Sequence, residues 1–165
     1  MLTFDQLKFI VKFCVLTVVL NIGCGILVPL LMDVMTNVVA DNSVQSVLAS
    51  DELQSFCAWI VMLAFMCWVI WEDGKRNTAY GRFDLFSSIM CCAAMFLVYF
   101  FPVLFIDHAT DTPKLLLMQY FVTCKWVNGS DYTSAVIIAE VILIALLMTV
   151  YFVSHAIYLK KHPDV

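Results

Sequence analysis

Ser134 to Leu159, SAVIIAEVILIALLMTVYFVSHAIYL, is the stretch whose reading decides the fold. At roughly 1.5 Å per residue, its length of about 25 residues crosses a hydrocarbon core of about 30 Å with some tilt. One acid, Glu140, interrupts it, and Lys160-Lys161 closes it. A soluble fold has no use for so long an apolar run. The other hydrophobic runs are therefore its companions in a membrane.

Composition agrees with this reading. With 63% hydrophobic and only 13% charged residues over 165 positions, no segment is polar enough to form a separate soluble domain. The net charge of −4 comes mostly from acids in the connections, which argues against a nucleic-acid partner. Three further spans are expected at 9–32, 56–71 and 83–106, besides 134–159. The connections between them fall at 33–55, 72–82 and 107–133. The expected fold is one domain over residues 1–165: an all-α integral membrane protein, an antiparallel four-helix transmembrane bundle with both termini cytosolic.

The first run has a basic start in Lys8 and Lys12. Its apolar part of about 20 residues exceeds a signal-peptide core, and no small-x-small cleavage site follows, so it is expected to remain as a span. Asn21-Ile22-Gly23-Cys24-Gly25 forms a small, polar middle suited to close helix packing. The second run carries Trp59 near one end and Trp68 and Trp71 near the other, an interfacial pattern. Glu72 to Arg82, with Asp73-Gly74-Lys75-Arg76, reads as a tight turn. Small residues line the first half of the third run, and Pro102 lies in its second half.

Seven of the nine Lys and Arg residues fall at the two termini and in the 72–82 connection, which assigns that side to the cytosol. Asn128-Gly129-Ser130 is an N-glycosylation sequon on the opposite, outer side. Lys114 to Val127 is apolar but too short to span, and reads as an interfacial segment or a lid over the bundle.

Glu140 is the sharpest candidate for function, with Asn21 as the second intramembrane polar group. Acids inside a span tend to face a bundle interior or a water-filled path, where they bind protons, cations or cationic ligands. Helical spacing sets Ile144, Leu147, Tyr151 and Ser154/His155 on the same stripe as Glu140. The bland alternative is an acid hydrogen-bonded to Asn21 or Ser88. Cys57 and Cys124 both fall on the outer side and are candidates for a disulfide tying the outer connection to the bundle. Cys14, Cys67 and Cys91 lie near the cytosolic ends of their spans and are candidates for palmitoylation. His108, His155 and His162 share no ligand spacing with the cysteines, so no metal or other cofactor is expected. No nucleophile–base or phosphate-cradling motif occurs, and the expectation is a protein without enzymatic activity.

Tyr80-Gly81-Arg82-Phe83-Asp84 has the form of a tyrosine sorting signal and resembles the Tyr-x-x-Phe-Asp stretch that introduces the third span of the lysosome-associated four-transmembrane family. Size and layout are also similar to the Pasiflora group of septate-junction proteins and to MARVEL-type proteins. A claudin is excluded, because 33–55 holds neither Trp nor Cys. These resemblances imply an integral protein of the plasma membrane at cell junctions, or of the endolysosomal membrane. Its expected role is that of an organiser or adaptor, with membrane lipids, other membrane proteins or further copies of itself as partners. The competing expectation is a small transporter or an accessory subunit of a transporter or channel, using Glu140.

Overall fold

The computed structural model describes residues 4–39, 41–106, 122–127 and 132–162. Among these residues five α-helices follow in order: α1 Phe4–Val38, α2 Asn42–Leu48, α3 Asp51–Ala79, α4 Leu85–Ile106 and α5 Tyr132–Lys161, with a 3-10 turn at Val122–Cys124 between the last two. No strand occurs among the described residues. All but α2 are long and apolar enough to cross a membrane. The 35 residues of α1 give about 50 Å of helix and the 22 of α4 about 33 Å, so each exceeds the hydrocarbon core.

Each long helix turns one stripe inward at helical spacing. On α1 it is Phe13, Thr17, Asn21, Cys24 and Met32; on α5 it is Val136, Glu140, Leu143, Leu147, Tyr151 and Ser154. The opposite faces are as apolar as the core. Val11, Val15, Val19, Ile26 and Leu30 of α1 are all more than two-fifths exposed, as are Ile89, Leu97 and Phe101 of α4. A water-soluble bundle would place charge there, so both faces being apolar is compatible with helices that cross a membrane.

Side-chain contacts fix the directions of the helices. Lys12 near the start of α1 meets Asp73 near the end of α3. Asn77 and Thr78 of α3 meet Tyr151 and His155 of α5. Phe83, just before α4, stacks on the same His155. At the far end, the Gln54 amide of α3 donates to the Asp33 carboxylate of α1 at 2.8 Å. The four long helices thus alternate in direction, and α1 starts at the end where α5 finishes.

Two connections differ from the sequence expectation. Residues 72–79 are not a turn but the last two turns of α3, and the true connection is only Tyr80–Asp84. Asp73-Gly74 is turn chemistry in isolation, but here Asp73 gains Lys12 and Gly74 gains close contact with α5. The helix stops at Gly81, whose φ of 63° is the left-handed value that closes a helix cheaply only in glycine. Asp84 then caps α4, accepting from the backbone N–H of Phe86 at 3.0 Å and of Ser87 at 3.3 Å. The 33–55 connection is also largely helical. Asp33 to Val38 continues α1, and Asp41 caps α2 by accepting from the Ser43 N–H at 2.9 Å.

Candidate functional site

Glu140 lies seven residues inside the apolar span that starts at Thr133 and is 2% exposed, buried where α5 packs on the rest of the bundle. One carboxyl oxygen, Oε1, finds no hydrogen-bond partner among the described residues. Both residues weighed from sequence as its partners also make other hydrogen bonds. Asn21 accepts a short hydrogen bond from the Thr123 hydroxyl through its Oδ1, and the Ser88 hydroxyl donates to the Asp84 carbonyl at 3.0 Å. A carboxylate left unpaired in such a place costs several kcal/mol. A proton, a cation or a donated hydrogen bond from another chain would each relieve it.

The 3-10 turn seals the far end above this acid. The Ser55 hydroxyl of α3 donates to the Val122 carbonyl at 2.5 Å and accepts from the Trp126 N–H at 3.0 Å. The Trp126 ring packs between Phe56 at 5.5 Å and Trp59 at 5.2 Å. The part of the apolar segment that is described, 122–127, is therefore tucked into the bundle. Tyr120 and Phe121 of that segment, and Asn128 of the sequon, lie outside the described residues.

Below the acid the interior is filled. Met62 and Met66 of α3 and Leu143 and Leu147 of α5 are all at most 2% exposed. A gap lined by Ile70, Cys91, Met95, Leu147 and Tyr151 amounts to only about 10 Å³. A water needs about 10–15 Å³ and two to four polar partners, so this gap, with Ser88 and Tyr151 among its mostly apolar walls, leaves little room for one.

The end where α1 starts and α5 finishes carries a second polar group, of which the sequence reading saw little. The Lys12 ammonium and the Asp73 carboxylate are 2.5 Å apart, with Asp73 the more buried of the two. The Asn77 amide donates to the Tyr151 hydroxyl at 3.0 Å, and Thr78 Oγ1 and His155 Nδ1 share a hydrogen bond of 2.8 Å. Phe83 stacks on His155 at 3.7 Å and on Tyr151 at 5.0 Å. Between these helix ends opens a cavity of about 410 Å³. The only signal available in sequence was the stripe that groups Tyr151, Ser154 and His155 with Glu140. Phe83, the apolar residue that a tyrosine sorting signal would present to its reader, is packed inward, whereas Tyr80 is 69% exposed.

The cysteines separate by accessibility. Cys57 is half-buried, Cys124 is buried, and both are free thiols in this structure. Burial pushes the Cys124 thiol up to about 12, from an ordinary value near 9. Cys14 and Cys67 are half-buried, but Cys91 is 4% exposed and turned into the core, which leaves its sulfur no access to an acyl donor. In the folded protein at neutral pH, Cys124 is expected to react with maleimide about a thousandfold more slowly than an exposed thiol, before any steric slowing. Peptide-resolved labelling followed over time checks this, and labelling of Cys124 as fast as Cys57 would contradict the buried placement.

Among the described residues no group of three or more His, Cys, Asp or Glu could hold a metal ion. Comparison of the chain with family models, curated proteins and solved structures returns no match.

Proposed function

We propose that this chain is a non-enzymatic multi-pass membrane protein that organises or adapts other membrane proteins through lateral helix contacts and its outer connections. Its sites of action are cell junctions or the endolysosomal system, with both termini in the cytosol, a placement that the Lys and Arg distribution supports. The observation that carries this reading is a closely filled mid-bundle interior behind helix faces that are apolar along their spans. A bundle so filled offers passing solutes no path. What it offers its surroundings is its lipid-facing helix surface, the α1 and α4 faces in particular.

Glu140 supports a second reading, a transporter or accessory subunit in which this occluded acid takes up a proton or cation. Photo-crosslinking from Val19 on the α1 outer face, in cells, separates the two. The organiser reading expects discrete adducts with a small set of membrane proteins or with the chain itself, unchanged by Glu140→Gln. A crosslinker at the buried Met62 serves as the control. A smear of adducts from Val19, together with proton or cation flux into vesicles that Glu140→Gln abolishes, would replace it with the second reading.

A further inference from the structure

The cavity of about 410 Å³ at the end shared by both termini is charged in a way that neither reading above uses. Lys8 and Lys12 reach it from α1, Arg76 from the last turn of α3, and Arg82 from the connection to α4. Among the described residues that line it, two acids, Asp73 and Asp84, stand against these four cations, an excess of two positive charges. Both acids also serve the fold. Asp73 pairs with Lys12, and Asp84 caps α4 through two backbone N–H groups and the Ser87 hydroxyl at 2.7 Å. Phe83 and Tyr151, whose rings stack 5.0 Å apart, form part of its inner wall.

We infer that this mouth is a binding site for a phosphate monoester. A monoester carries about −1.5 to −2 at neutral pH, which matches the excess of two, and guanidinium groups grip its oxygens in bidentate fashion. The volume falls within the usual range of about 300–1,000 Å³ for small-ligand sites. The cavity lies at the ends of membrane-crossing helices, the level of lipid headgroups. The phosphate is therefore either the headgroup of a lipid or a soluble ester. This inference needs neither lateral partners nor transport by Glu140, and its failure would leave both readings standing.

The experiment uses the full chain in phosphatidylcholine nanodiscs. It is titrated with dioctanoyl phosphatidic acid, a monoester, and with dioctanoyl phosphatidylglycerol, a diester of the same chain length, and adducts are counted by native mass spectrometry. Phosphatidic acid is expected to bind at least about tenfold more tightly than phosphatidylglycerol, and to weaken by about tenfold or more in the double variant Arg76→Gln/Arg82→Gln. Arg76 and Arg82 are both exposed at their outer parts, so the fold should survive, and a thermal melt checks it. If it does not survive, Lys8→Gln, also at an exposed position, replaces the double variant. Lys160→Gln/Lys161→Gln removes the same charge from the tail of α5 and should leave binding unchanged. Competition by inorganic phosphate would support the site and assign it to a soluble ester; retention of phosphatidic acid against excess phosphate would support it and assign it to a lipid. Equal binding of the two lipids, or equal weakening by the two double variants, would reduce the mouth to generic surface charge and overturn the inference.

Discussion

Replacing Gly74 by alanine is expected to loosen the α3–α5 contact and lower stability by about 1–3 kcal/mol, the range for overpacking a filled site. A Cβ built at Gly74 would lie 1.8 Å from Ser154 Oγ and 3.2 Å from both Ser154 Cβ and Tyr151 Cδ2. Ser154 cannot swing aside freely, because its hydroxyl donates to the Tyr151 carbonyl at 2.8 Å and the residue is fully buried. Any shift of Tyr151 also strains its bond to Asn77 and its stack on Phe83. In an aqueous helix alanine would gain about 1 kcal/mol over glycine, so the expected sign is opposite to the helix-propensity one. Thermal unfolding in detergent should show a loss on the order of 5 °C. The double variant Gly74→Ala/Ser154→Gly should recover most of it. If the alanine variant proved as stable as the parent, or the double variant no better than the single, the two helices do not approach as described.

Glu140→Lys carries the second large effect. The substitution puts a longer, strongly hydrated cation at a position that is 2% exposed and whose carboxyl Oε1 already lacks a hydrogen-bond partner among the described residues. An unpaired charge in such a site costs about 3–5 kcal/mol, a large share of a domain's whole stability of about 5–15 kcal/mol. The variant is expected to aggregate on extraction or to be cleared before it accumulates. Glu140→Gln keeps the volume without the ionisable group and should give a monodisperse protein with a melting midpoint close to the parent. Size-exclusion profiles of the two variants check this. A well-behaved lysine variant would mean that water reaches position 140, which would remove the main support for a closed interior.

How far the sequence carried depended on whether the signal lay within one segment. The Ser134–Leu159 run announced its helix by length alone, and Glu140 was conspicuous as the single acid inside it. Placement of Leu147, Tyr151 and Ser154 on its inward stripe followed from the 3.6-residue repeat, and all three are buried. The end of α3 was misread because Asp-Gly is turn chemistry when judged locally. What keeps it helical is supplied from elsewhere in the chain: Lys12, sixty-one residues earlier, and Ser154, on another span. Lys12 itself was read only as a topology charge, because nothing local shows that it has a carboxylate partner. Cys91 was grouped with Cys14 and Cys67 by depth, and only the packing of α4 distinguishes its inward face. The network of Asn77, Thr78, Phe83 and His155 was invisible for the same reason, since each member is ordinary on its own helix.

The hydrogen bond between Asn21 and Thr123 joins residues 102 positions apart, the first span to the connection that precedes the last. That separation sets an order of events during synthesis. The first span enters the bilayer with an amide oxygen whose partner is translated long afterwards, and a polar group left in lipid is costly until it is satisfied. Nascent chains halted before Thr123 therefore expose a lipid-facing polar mark that finished chains have hidden.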